Sequence, residues 1–178
     1  MTTVDTIDRA RARSLIAGDP ILSLVHDYVE RLRAGRAMAA LADIDFFAIP
    51  KAVPHLFTMT VTGSPARFRY KFTGTQVDAI MAQNAMGRYL DEIYPNLGHK
   101  VVESYAAIAR DPRPQLLQAS FTTGKGISRT IFRYAIPLSD DAPRLTHILG
   151  VLVLRSADKT NELLPPPSRP ETVKVDYV

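Results

Sequence analysis

At 178 residues, 46% of them apolar and 22% charged, the chain is long enough for one domain with a real core, and its composition is neither fibrous nor disordered. The absence of cysteine excludes disulfides, thiolate nucleophiles, iron–sulfur clusters and cysteine-ligated zinc. The net charge of +4 is not gathered on a groove-entering helix: residues 1–36 hold six arginines against five acids, and the excess lies between Pro112 and Arg133, where strand spacing spreads it over a sheet. No nucleic-acid partner is therefore expected.

The N-terminus, MTTVDTIDRARARSL, has no apolar run of the kind a signal peptide needs. The most apolar stretch, Leu145–Leu154, is half the roughly 20 residues of a membrane span and reads as a buried strand. A cytoplasmic chain with no membrane partner is expected.

In chain order, residues 1–18 are polar and Arg-rich and read as a loose arm or frayed helix. Asp19-Pro20 then opens a helix, with Asp as N-cap and Pro where its missing N–H costs nothing. Ile21, Leu24, Val25, Tyr28 and Leu32 form one apolar stripe, and Gly35 stops it. Pro50 and Pro54 make residues 43–55 a turn-rich link. Leu56–Val61 and Arg67–Phe72 read as a hairpin around Gly63-Ser64-Pro65, with Phe68, Tyr70 and Phe72 on one face and Arg67, Arg69 and Lys71 on the other.

Thr75 with Asp78 three residues later reads as a capping box that opens a short helix with Val77, Ile80 and Met81 on one face, and Gly87–Ile93 makes a further turn or short helix. A longer helix runs from Asn96 to Arg110, with Val101, Val102, Tyr105 and Ile108 in register and Pro112 beyond its end. Three strands close the pattern: Gln115–Thr122, Ser128–Leu138 and Leu145–Arg155, the first two joined at Gly124-Lys125-Gly126. The Pro-rich tail from Asn161, with Pro165, Pro166, Pro167 and Pro170, is expected to be flexible. The organisation expected is an N-terminal arm and flanking helix over 1–35, a core domain over 36–157 and a tail over 158–178.

Two strand groups separated by helices predict an α+β domain: a five-stranded antiparallel sheet with the helices on one face. The run FRYKFTGTQVDAI, MGRYLDEI, VVESYAAIARDPRPQ, ISRTIFRYAIPLSDD and THILGVLV resembles a bacterial single-domain branch of the PAS superfamily over about residues 35–155. That resemblance implies a strand order of 2-1-5-4-3 and a sensory or regulatory role. It also implies that a flanking helix can pair two copies, so Ile21, Leu24, Val25, Tyr28 and Leu32 are expected to form a homodimer interface; the alternative is that the same stripe folds back on the chain's own sheet, with Asp27 and Glu30 near Arg67, Arg69 or Arg133, giving a monomer.

No catalytic constellation stands out, and no enzyme is expected. His26, His55, His99 and His147 show no metal-ligand spacing. Some PAS domains ligate haem through a histidine of the helix that His99 opens, but one histidine is no signature. The flavin and coumarate chemistries of other PAS proteins need a cysteine, which this chain lacks. No cofactor is expected. Gly124-Lys125-Gly126 lacks the first Gly and the final Ser/Thr of a phosphate loop and reads as a strand-joining turn.

The aromatic residues either fill the core or line a cavity. The expected ligand-binding set is Phe72, Ile80, Tyr89, Tyr105 and Phe132, with Tyr89 and Tyr105 as polar anchors. Arg129 and Arg133 share a strand face and are expected on the basic outer side of the sheet. The function expected is a sensory module that binds a small organic ligand and signals through an unidentified protein partner. The alternative is a ligand-free interaction or dimerisation module.

Overall fold

The computed structural model describes residues 4–6, 9–94, 98–122, 128–140, 142–156 and 172–177. Five strands form the antiparallel core: β2 (Leu56–Thr62), β3 (Arg67–Thr73), β4 (Gln115–Thr122), β5 (Ser128–Leu138) and β6 (His147–Ser156). Their spatial order is β4-β5-β6-β2-β3, the order that the resemblance implies. Three helices lie between β3 and β4: α3 (Thr75–Met81), α4 (Leu90–Ile93) and α5 (Gly98–Arg110). They cover one face, where Val77, Ile80, Leu90, Ile93, Tyr105 and Ile108 pack on Phe57, Met59, Phe68, Tyr70, Ile148 and Leu152.

The opposite face is covered too. Two N-terminal helices, α1 (Arg9–Gly18) and α2 (Pro20–Arg33), bury Ala12, Ile16, Leu22, Val25 and Val29 against Leu116, Tyr134, Ile136, Leu149, Val151 and Val153. A strand covered on both sides has no polar face to show, which is why β6 reads as the continuous run ILGVLVL rather than as an alternation.

The α2 stripe is the main correction. Val25 is fully buried and Tyr28 nearly so, and Ile21, Leu24 and Leu32 pack partly buried against the same cluster. The Tyr28 hydroxyl donates to the Asp45 carbonyl and accepts from the Asp45 N–H. The expected homodimer interface is thus spent on the chain's own sheet. Each such burial contributes about 1.5–3 kcal/mol and needs no second copy to do so. Asp19 fixes the start of α2: its Oδ1 accepts from Ile21 N (2.9 Å) and Leu22 N (3.0 Å), and its Oδ2 meets the Arg155 guanidinium of β6 at 2.6 Å. This last contact ties the helix to the final core strand.

Both chain ends also add to the sheet. β7 (Thr172–Tyr177) pairs antiparallel with β4, and β1 (Val4–Thr6) pairs parallel with β7, giving seven strands in place of the expected five. The expected flexible tail therefore ends in a strand. After Pro170 the residues TVKVDY alternate β-branched and polar positions, and β4 would otherwise present an open edge. The prolines themselves, Asn96 and the turn at Gly124-Lys125-Gly126 lie outside the described residues.

One local irregularity redirects a side chain. The β2–β3 register shifts between Thr58 and Met59, so that Met59 faces Tyr70 while Thr58 faces Phe72. The extra residue, Lys71, turns the strand by one step. Phe68 and Tyr70 stay on the α5 side, whereas Phe72 moves to the opposite face and packs on Phe46 at 5.6 Å.

Candidate functional site

The polar feature of the interior is built on β5. Along this strand Phe132, Tyr134 and Ile136 face α1 and α2, while Ile131, Arg133 and Ala135 face α5. Arg129 and Arg133, expected on the outer face of the sheet, are buried instead, at 4% and 5% exposure. The reason lies in the sheet's two covers: no outer face is left over the middle of β5.

Arg133 is held from three sides. Its Nη1–H donates to Ser104 Oγ of α5 (2.9 Å), and its Nη2–H donates to Gln115 Oε1 at the start of β4. Its guanidinium carbon stands 4.3 Å from the centre of the Tyr105 ring, a cation–π contact. The supporting groups are themselves engaged: Ser104 donates to the Val101 carbonyl, and Gln115 Nε2 donates to the Ser104 carbonyl. The Arg133 Nε–H, buried, has no acceptor among the described residues.

Three tyrosines surround this cation. Tyr105 is fully buried with its ring 5.3 Å from Phe68. Tyr70 of β3 lies against Phe57 at 5.6 Å, and its hydroxyl meets that of Tyr94, which follows α4. Burial pushes all three phenols above their ordinary pKa, and for each the Arg133 charge pulls partly the other way. At neutral pH they are therefore protonated and can donate hydrogen bonds. The cluster is an interior set of neutral polar groups around one positive charge.

The expected ligand-binding residues do not come together. Ile80 and Tyr105 share the α5 layer, and Ile80 is 7% exposed. Phe72 and Phe132 lie on the other face of the sheet, Phe72 because of the bulge and Phe132 by the pleat of β5. Tyr89 sits at the sheet edge, half-buried, bridged to Arg69 of β3 and stacked under the Arg67 guanidinium at 3.8 Å. Arg133, Tyr70, Tyr94, Ser104 and Gln115 were missed as a set. The signal available was the pairing of Arg133 with Ile131 and Ala135 on one pleat, which marks that face as covered.

A cleft of about 620 Å³ lies between α1 and α2 and is lined by Arg9, Arg13, His26, Glu30 and Arg33 among others. At its floor His26 Nδ1 is 2.8 Å from the hydroxyl of buried Tyr134. Among the described residues no group of His, Asp and Glu side chains could hold a metal ion, and no helix is long and apolar enough to cross a membrane.

No family model and no curated protein matches this chain. Among solved structures it is similar to a chain described as an RNA-binding light-oxygen-voltage receptor, at 13% identity and a TM-score of 0.43. The match covers 66% of this chain and 34% of that one, so this chain spans about a third of that neighbour's length.

Proposed function

We propose that this protein is a cytoplasmic sensory or regulatory module that takes a small organic ligand between the sheet and helices α3–α5 and signals through contacts with another protein. The observation that carries this reading is the Arg133 cluster. A core meant only to pack would place an apolar side chain there, because a buried guanidinium costs several kcal/mol of desolvation unless it is compensated. Its supports come from two other elements, α5 and β4, so a ligand at Arg133 would bear on the seating of α5 against the sheet. No acid–base or nucleophilic set accompanies the cluster among the described residues, which favours binding over catalysis.

One observation favours the ligand-free interaction module instead: Phe68, Tyr105 and Ile108 are at most 2% exposed and fill their layer with the protein's own side chains. Native mass spectrometry of gently purified protein separates the two readings. A retained small molecule, released on denaturation and restored on refolding with it, supports the sensory module. An unliganded mass, together with no response to any compound in a thermal-shift screen, supports the interaction module.

A further inference from the structure

Deepening the sensory reading, and resting on it, we infer that the ligand of the interior site is a small monocarboxylate held by the forked guanidinium of Arg133. The charge balance points there first. The Arg133 guanidinium is buried, and its partners among the described residues are the Ser104 hydroxyl, the Gln115 amide oxygen and the ring and hydroxyl of Tyr105, all neutral. Asp19, the N-cap of α2 and buried on the opposite face of the sheet, is engaged with Arg155 of β6. Arg133 therefore forms no ion pair among the described residues.

The hydrogen-bond inventory agrees. The Arg133 Nε–H is unmatched, the Tyr105 hydroxyl is hydrogen-bonded with the guanidinium, and the Tyr70 hydroxyl donates to Tyr94, whose own O–H remains to donate. An acceptor-rich anion is the complement of such a set, and the planar guanidinium fork matches a carboxylate. The surroundings set the rest of the ligand: Tyr105 and Phe68 form an aromatic wall, which suits an apolar or aromatic body behind the carboxylate. A phosphate dianion fits less well. The other buried arginine of this strand face, Arg129, is four residues away, about 13 Å along an extended strand, so one charge stands at the site.

The test uses the whole chain with benzoate, phenylacetate and hexanoate, each beside its neutral amide, and with inorganic phosphate. Binding is read by thermal shift and titration calorimetry for the wild type, Arg133→Met and Arg133→Lys. The expected result is that at least one carboxylate binds at least tenfold more tightly than its amide. Arg133→Met should lose that preference, while melting no lower than the unliganded wild type because an uncompensated buried charge is gone. Arg133→Lys, which keeps the charge without the fork, should bind at least tenfold more weakly, and it decides the matter should Arg133→Met fail to fold. Acid and amide binding alike, phosphate alone binding, or undiminished carboxylate binding by Arg133→Lys would each overturn the inference. A neutral molecule retained equally by wild type and Arg133→Met also overturns it, but leaves the sensory reading standing. If no compound binds, none is retained on purification and Arg133→Met melts lower, Arg133 is a structural tie and both readings fall.

Discussion

Gly150 lies at the middle of β6, between Phe57 of β2 and Ala135 of β5, and the Phe57 ring lies directly over it. A Cβ at this position would stand 1.9 Å from Phe57 Cζ and 2.2 and 2.3 Å from the two Cε atoms. Carbon–carbon contact needs roughly 3.5 Å, so Gly150→Ala requires the ring to withdraw by about 1.6 Å. The ring has little room, being 2% exposed and backed by Tyr70. Overpacking of this kind costs about 1–3 kcal/mol, and the rigid backing argues for the upper end. With a urea slope of about 2 kcal/mol/M, a cost of about 3 kcal/mol lowers the unfolding midpoint by about 1.5 M. The strain is specific to one ring, so Phe57→Leu should absorb it. In a double-mutant cycle, Gly150→Ala should cost at least ~1 kcal/mol less in the Phe57→Leu background. A midpoint within experimental error of the wild type, or an equal penalty in both backgrounds, would refute the packing argument.

Two further outcomes follow from the layers. Leu24→Glu with Tyr28→Glu should unfold the protein, at a cost above ~4 kcal/mol, because α2 covers its own sheet. Sedimentation velocity showing a dimeric wild type and a folded monomeric double variant would contradict that. The phenols of Tyr70, Tyr94, Tyr105 and Tyr134 are all raised by burial, whereas unfolded tyrosine ionises near pH 10. Above that pH the unfolded state binds fewer protons than the native one. Stability therefore falls as pH rises past about 10, by up to ~1.4 kcal/mol per pH unit for each tyrosine, with no contribution below pH ~9. Ultraviolet titration showing all seven tyrosines ionising together near pH 10 in the folded protein would show that burial does not hold these protons.

The sequence by itself determined the elements whose signals are local. Asp19-Pro20 placed the start of α2, because an N-cap and a first-turn proline act through backbone groups two or three residues away. The alternation of β5 and the apolar run of β6 placed those strands, and the split of two strands, helices and three strands gave a five-stranded antiparallel sheet. What covers each face is not a local property. The stripe of α2 required an apolar partner but could not name one, and only the packed chain assigned it to Leu116, Tyr134 and Val151 rather than to a second copy. The β2–β3 bulge sent Phe72 away from Tyr105 by one residue of register, which pattern alone does not contain. Arg133 shows the same limit. Its place on a pleat was legible, but whether that pleat met water or Tyr105 depended on where α5 docked, and this contact turns a surface arginine into the charged centre of the interior.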